Sequence, residues 1–212
     1  MGSTPSEGLN EPIGFSSDPS SKRKKGAHKP VFAPVFVHPG EPRDECSRVH
    51  LLVNPFAGKK RGRSVAEQVV ERLEAAGVST TCGYSAYSGH LVTMASALVV
   101  EKGDIVAVVG GDGSLSEVIT GRMLLGKSGK ETFAVVPAGT GNSQAHDLGV
   151  HSVDSAINAI LAGRAQALDL ARVELTEGLP GSTGDSMVRY SHNLVTWGLG
   201  VDSTIQAENC LL

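Results

Sequence analysis

Three short segments of this 212-residue sequence combine glycines with side chains that can bind or process an anion. We name them the asparagine loop (residues 54–60, Asn-Pro-Phe-Ala-Gly-Lys-Lys), the aspartate loop (110–113, Gly-Gly-Asp-Gly) and the threonine loop (137–142, Pro-Ala-Gly-Thr-Gly-Asn). Glycine lets the backbone turn tightly and approach a ligand, and consecutive N–H groups in such turns bind anions. Each segment is therefore a candidate phosphate-binding loop.

The carboxylate of Asp112 is the most informative side chain in these loops. Beside a phosphate a carboxylate is repelled, unless it holds Mg²⁺ or accepts a proton from an attacking hydroxyl. Aspartate is also a common helix cap, so the same residue could serve an ordinary structural turn. Taken alone, the aspartate loop leaves these two interpretations evenly balanced, and the threonine loop alone is more typical of a turn.

The elements that would position these loops follow from hydrophobic periodicity. Apolar runs predict buried strands over 49–53, 78–84, 105–109 and 133–136. Helical spacing of apolar residues predicts helices over about 64–76, 90–101, from 115 onward and 153–162. Ser64 and Ser152 are the expected N-caps of the first and last of these helices.

Strands that alternate with helices favour a parallel sheet covered by helices on both faces, hence an α/β fold. Right-handed crossovers then place every strand-to-helix loop along one edge of the sheet. The three loops should meet there, and their convergence favours nucleotide binding over three unrelated turns.

The chain divides into three regions by composition. Residues 1–45 are rich in Ser, Pro, Gly and charge and predict a disordered arm, and 46–165 form the expected nucleotide-binding α/β domain. Alternating apolar and polar residues over 168–175 and 188–197 predict an antiparallel hairpin. A lone hairpin leaves open edges, so we expect 166–212 to be the start of a β-rich domain whose partner strands are missing.

Composition excludes several classes of protein. A formal net charge of −3 argues against a nucleic-acid partner, and no apolar stretch reaches the ~18 residues of a transmembrane helix. Three cysteines without a CxxC pair favour a reduced, cytoplasmic setting.

The basic run at 22–25 is either a solvated patch or a contact with an anionic membrane or with the nuclear import machinery. The sequence has no Walker A motif, no protein-kinase signature, no GxSxG motif and no zinc spacing.

The three loops together, as NPxxGKK, GGDGSLSEV and PAGTGN in this order, resemble the catalytic domain of the diacylglycerol kinase family, which includes sphingosine, ceramide and diacylglycerol kinases. The resemblance covers about residues 48–202. It implies an ATP-binding α/β domain followed by a β-sandwich, with a lipid headgroup held between them. It also implies Mg²⁺-dependent transfer of the γ-phosphate of ATP to a lipid hydroxyl at a membrane surface.

The same resemblance assigns roles to individual residues. Asp112 would be the catalytic carboxylate. It is also the only residue that the resemblance suggests as a contact of Mg²⁺. The ATP site would be lined by Asn54, Gly58, Ser85, Gly111, Gly113, Gly139, Thr140, Gly141 and Asn142. His90 lies where family members often have a histidine, and it could equally serve the start of a helix.

Residues 193–202 are most similar to the sphingosine kinase branch. Asp202 and Glu208 could there approach an amino-alcohol headgroup, giving a sphingoid base or diacylglycerol as substrate. Thr204 occupies a position that is acidic in sphingosine kinases.

NAD kinases and phosphofructokinases also use GGDG loops, but the asparagine and threonine loops favour the lipid kinase. A non-catalytic nucleotide- or lipid-binding protein is the alternative if the lipid domain is incomplete.

Overall fold

The computed structural model describes residues 41–42, 46–126, 131–176 and 186–194. Its strands are β1 (Glu41–Pro42), β2 (Arg48–Val53), β3 (Ser79–Tyr84), β4 (Ile105–Gly110), β5 (Thr132–Pro137), β6 (Arg164–Ala165), β7 (Ala171–Thr176) and β8 (Ser186–Ser191). Its helices are α1 (Ala57–Lys60), α2 (Gly62–Ala75), α3 (His90–Ala97), α4 (Asp112–Met123), α5 (Ser143–Asp147) and α6 (Val153–Ala162). None of the helices in the described ranges has the length and hydrophobicity needed to cross a bilayer.

Four parallel strands form the central sheet, in the order β3-β2-β4-β5. All six residues of β4 are buried, as expected for a central parallel strand covered on both faces. Successive residues along each strand point to opposite faces of the sheet. Helices α2 and α6 cover one face, and α3 and α4 cover the other. The predicted α/β architecture is therefore confirmed.

Three helix boundaries differ from the sequence-based expectation. Helix α4 begins at Asp112, three residues before the expected start. Helix α2 already begins at Gly62, so Ser64 lies inside its first turn and donates its hydroxyl to the Arg61 carbonyl at 3.0 Å instead of capping. Helix α3 ends at Ala97 because Leu98 has an extended backbone conformation. By contrast, Ser152 does cap α6, accepting a hydrogen bond from the backbone N–H of Ser155 at 3.1 Å.

The predicted hairpin is formed by β7 and β8, which pair antiparallel. It packs on α4 through the backbone of Tyr190. The Ser116 hydroxyl donates to the Tyr190 carbonyl at 3.2 Å, and the Tyr190 N–H donates to Oγ1 of Thr120 at 3.1 Å. The boundaries of the domains themselves stay predictions, and most of the arm over 1–45 lies outside the described residues.

A buried histidine–aspartate pair lies at the end of the sheet opposite the three loops. His50 contacts Asp104 at 3.0 Å through Nε2 and Thr81 at 2.8 Å through Nδ1. Burial raises the pKa of Asp104, but the backbone N–H of Glu101 and the ring of His50 lower it by more, so the pKa lies below its usual value. This polar cluster therefore satisfies its own members within the core.

A buried arginine joins α4 to the end of α3 and to Glu131, the residue before β5. Arg122, on α4, is only 1% exposed. Its guanidinium donates to the carbonyl oxygens of Ala95 and Leu98, at 2.8 and 2.6 Å, and forms a two-pronged ion pair with Glu131. It thus binds carbonyl groups at the C-terminal end of α3, where the Ala95 carbonyl also accepts the N–H of the cap residue Leu98 at 3.3 Å.

We expect Arg122→Ala to lower the free energy of unfolding by about 3–5 kcal/mol, because it removes the ion-pair partner of a largely buried carboxylate and the hydrogen bonds that Arg122 donates to two carbonyl groups. Urea denaturation measures the change. The control is Arg72→Ala, which breaks an exposed ion pair with Asp154 and should cost less than about 1 kcal/mol. Equal losses in the two variants would contradict the role given to Arg122.

Candidate functional site

The three loops follow three neighbouring strands and leave the sheet at the same edge. Backbone hydrogen bonds already link them where the strands end. The N–H of Asn54 donates to the carbonyl of Val109 at 2.9 Å, and the N–H of Ala138 donates to the carbonyl of Gly110 at 2.9 Å. The asparagine and threonine loops therefore begin on either side of the aspartate loop.

Glycines allow these loops to pack against one another. A Cβ atom on Gly58 would lie 2.1 Å from the carbonyl oxygen of Ala138, so only glycine lets the asparagine loop touch the threonine loop. A Cβ atom on Gly139 would lie 2.6 Å from the Cα of Gly111. The glycines at 58, 111 and 139 are thus explained by contact between loops, and the expected convergence is present.

Two asparagine side chains fix the shape of the loops. Asn54 accepts from the N–H of Phe56 at 3.0 Å and donates to the hydroxyl of Ser114 at 3.2 Å, which ties the asparagine loop to α4. Asn142 closes the threonine loop by exchanging two hydrogen bonds of 2.9 Å with the backbone of Gly139. Ser114 was not among the residues predicted from the motifs.

Asp112 is the first residue of α4, and its half-buried carboxylate holds the start of α5. Oδ2 accepts the N–H of Ser143 and Oδ1 accepts the N–H of Gln144, both at 2.9 Å. Asp112 therefore caps a helix, although the capped helix is α5 and not the helix that contains Asp112. The two bonds fix the orientation of the carboxylate between the aspartate and threonine loops.

The N-terminus of α4 has a different environment from that of α5. The residue before α4 is Gly111, which has no side chain to cap the helix, and no other described side chain accepts a hydrogen bond from the first turn. A Cβ atom on Gly113 would meet no described atom within 4 Å, its own helix aside. The N–H groups of this turn therefore have no described side-chain acceptor, and the exposed Gly113 leaves room for an anion to approach them.

The asparagine loop contains a left-handed turn. Gly58, Lys59 and Lys60 have φ angles of 51°, 62° and 66°, so the short element α1 is not a right-handed helix. Left-handed backbone costs a non-glycine residue about 1–2 kcal/mol, and such strain is often found at functional sites. The side chain of Arg61 supports the turn, donating to the carbonyl of Gly58 at 3.1 Å. The turn exposes both lysines at the edge where the loops meet.

Three further residues predicted for the ATP site also lie at the edge of the sheet where the loops meet. Thr140 and Gly141 are exposed in the threonine loop. Ser85 is buried at the end of β3, where its N–H donates to the carbonyl of Val53 at 2.8 Å. It therefore lies on the same sheet edge, beside the asparagine loop.

His90 starts α3 and has a local structural role. Its ring accepts the N–H of Ala86 at 3.0 Å and stacks on Tyr87 with 4.5 Å between ring centroids. The two residues proposed to meet the lipid, Asp202 and Glu208, lie outside the described residues, as does Thr204.

A family comparison agrees with this arrangement of loops. Residues 48–173 match the family model described as the diacylglycerol kinase catalytic domain. The chain belongs to the diacylglycerol kinase catalytic domain family. The resemblance inferred from the three motifs is thus confirmed, and the chain is a member of a family of lipid kinases.

Among its relatives, sphingosine kinase 1 of Arabidopsis thaliana is 30% identical over 92% of this chain and 39% of that protein. Diacylglycerol kinase of Bacillus subtilis (strain 168) is 28% identical over 59% of this chain and 42% of that protein. A crystal structure of a diacylglycerol kinase from Bacillus anthracis str. Sterne superposes with a TM-score of 0.49 at 25% identity, covering 62% of this chain and 46% of the other. The chain thus spans less than half the length of these relatives.

Two glycine-to-alanine variants should separate the structural glycines of this site from the accessible one. We expect Gly139→Ala to lower the free energy of unfolding by about 1–3 kcal/mol, because the added methyl group meets the Gly111 backbone. Gly113→Ala adds a methyl group in open space within a helix and should leave stability unchanged or raise it by up to about 1 kcal/mol. Urea denaturation compares the two, and equal stabilities would contradict the packing described for Gly139.

Proposed function

We propose that this chain provides the ATP-binding half of a lipid kinase, which transfers the γ-phosphate of ATP to a lipid hydroxyl. One observation carries the proposal. A helix N-terminus that no described side chain caps and an oriented carboxylate lie next to each other, at an edge where three glycine-containing loops meet. An anion-binding turn beside a carboxylate is what phosphoryl transfer to a hydroxyl requires.

The triphosphate would bind at the start of α4. The N–H groups of Gly113 and Ser114 can donate to phosphate oxygens, and the absence of a Cβ atom at position 113 gives the phosphate room to approach. Lys59 and Lys60 supply positive charge from the left-handed turn, and the exposed hydroxyl of Thr140 can donate from the threonine loop. Neutral N–H donors and nearby cations suit a highly charged ligand.

The donor set also fits Mg²⁺. This ion is commonly held by one or two carboxylates together with phosphate oxygens and water. The described residues contain no group of three or more side chains that could hold a metal by themselves. Each oxygen of Asp112 accepts one backbone N–H and keeps a lone pair, so Asp112 would be the protein ligand. The bound ion would neutralise charge on the transferred phosphoryl group.

Asp112 would also orient the lipid hydroxyl. In the reaction the hydroxyl oxygen forms a bond to the γ-phosphorus, the bond from that phosphorus to the bridging oxygen of ADP breaks, and the hydroxyl proton passes to the carboxylate. Carboxylates are weak bases, so the proton would move late and positioning would contribute more than deprotonation. The two N–H groups that hold Asp112 provide that positioning.

The lipid would approach from the side of the hairpin. Strand β8 packs on α4 through Tyr190, so the region that follows the α/β domain lies beside the helix that starts with Asp112. The alignment with the sphingosine kinase covers 92% of the chain, whereas that with the Bacillus subtilis diacylglycerol kinase covers 59%. We therefore propose a sphingoid base, presented at the cytoplasmic surface of a membrane, as the first substrate to test and diacylglycerol as the second.

The ATP-binding part of the proposal is tested with Gly113→Ala. We expect this variant to bind ATP about tenfold more weakly, equivalent to about 1.4 kcal/mol, because its methyl group occupies the space into which the phosphates would fit. Isothermal titration calorimetry measures the affinity, and the unfolding free energy of the same variant is the control. Unchanged affinity in a folded variant would place the triphosphate elsewhere.

The catalytic part of the proposal is tested with Asp112→Asn. We expect phosphoryl transfer to fall by about 100- to 10,000-fold while ATP binding remains measurable, because the amide neither accepts the proton nor holds Mg²⁺ as a carboxylate does. Transfer of radiolabelled phosphate from ATP is measured against a panel of sphingoid bases, ceramide, diacylglycerol and NAD, on this chain and on longer proteins that contain it.

Asp147→Asn is the matched control, since Asp147 is exposed at the far end of α5. It should retain the activity of the parent chain. Near-normal transfer by Asp112→Asn would reject the assignment of that residue. ATP binding without transfer to any lipid in the parent proteins would favour the non-catalytic alternative, and transfer to NAD alone would favour the NAD kinase.

A further inference from the structure

A histidine from the hairpin region reaches the candidate catalytic loop. His192 directly follows the last residue of β8 and is only 8% exposed. Its Nε2 lies 3.3 Å from the main-chain oxygen of Asp112, and its Nδ1 lies 3.0 Å from Oε1 of Gln144. No motif of the family resemblance includes this histidine.

These contacts close a ring of three residues. Gln144 donates its backbone N–H to the carboxylate of Asp112, and its side chain meets His192. His192 in turn meets the backbone of Asp112. The ring joins α4, α5 and the end of the hairpin, and the side chain of Asp112 is one of its links.

The chemistry of the ring fixes where one hydrogen is placed. The main-chain oxygen of Asp112 can only accept, so Nε2 of His192 must carry the hydrogen that they share. Gln144 has both a donor and an acceptor on its amide, so it can pair with Nδ1 whether or not that nitrogen is protonated. Gln144 is only 4% exposed, and a buried amide is costly to leave without a partner.

We propose that His192 is a positioning residue that holds Asp112 and Gln144 in the geometry for phosphoryl transfer. This inference rests on the proposed role of Asp112 in catalysis. The hairpin region thereby becomes part of the active site as well as a neighbour of it. Docking of the hairpin and orientation of the carboxylate are coupled through the imidazole ring.

A matched control is available because the hairpin also binds α4 at a second place. The N–H of Tyr190 donates to Oγ1 of Thr120, about two turns along α4 from Asp112. Thr120→Val removes that bond with little change of shape and leaves the ring of Asp112, Gln144 and His192 intact. It removes one contact between the hairpin and α4 and leaves the docking through His192 in place.

The kinetic test compares three variants of His192 with Thr120→Val. We expect His192→Leu to lower kcat by about 10- to 100-fold with little change in KM for ATP. His192→Gln should restore most of kcat, because its amide nitrogen can reach the place of Nε2 and donate to Asp112. His192→Asn should not, because its shorter side chain reaches only the place of Nδ1. Thr120→Val should keep kcat close to that of the parent protein.

A second measurement does not depend on catalysis. The backbone N–H groups of Ser143 and Gln144 donate to Asp112, so their hydrogen exchange reports how firmly the carboxylate is held. We expect exchange at these two sites to be at least about fivefold faster in His192→Leu than in Thr120→Val, once rates are corrected for global stability. His192→Gln should exchange like the parent protein, which keeps the comparison usable if the leucine variant does not fold.

The two measurements separate this inference from the proposed function. If the parent protein transfers no phosphate but the exchange pattern appears as expected, the kinase assignment fails while the positioning of Asp112 by His192 stands. If kcat and exchange in His192→Leu match those of Thr120→Val, or if His192→Gln behaves no better than His192→Asn, the inference is overturned.

Discussion

The hydrogen bonds from two backbone N–H groups to the carboxylate of Asp112 are the interaction on which the arrangement of the site depends. Helix α5 begins after Asn142, which has a left-handed backbone conformation and whose side chain bonds to the backbone of Gly139 and does not cap the helix. Asp112 supplies the missing acceptors from the neighbouring loop. A structural cap and a chemically useful carboxylate are therefore compatible, because an oriented carboxylate needs little reorganisation during a reaction.

The sheet topology makes this interaction possible. The strand order is β3-β2-β4-β5, so β3 lies on one side of β2 in the sheet, and β4 and β5 lie on the other side. Ligands of open parallel sheets bind beyond the carboxyl ends of the strands, where the connections diverge in this way. The asparagine and aspartate loops follow the two strands at that point. Glycines at 58, 111 and 139 then allow the loops to touch instead of merely sharing an edge.

Sequence patterns predicted the parts of this structure that depend on local order. Apolar runs located the four parallel strands, and glycine content located the loops. The missed features join distant residues or depend on exact backbone angles. Arg122 is bound to groups on α3 and before β5, and His192 meets Asp112 across 80 positions of sequence. The capping pattern at Ser64 failed because contact with the asparagine loop starts α2 earlier, where a Cβ atom on Gly62 would lie 1.9 Å from the carbonyl of Asn54.

Asp112 lies in α4 but caps α5, and this also explains how a carboxylate can lie beside a triphosphate that would repel it. An acidic residue in the first turn of a helix ordinarily interacts favourably with the N–H groups there and would compete with a bound anion. Here the carboxylate is instead turned to the N–H groups of Ser143 and Gln144, which offset part of its charge. The first turn of α4 consequently stays available for phosphate while the carboxylate remains one residue away. The proposed mechanism needs both groups at close range, and the separation of their hydrogen-bond partners is what permits it.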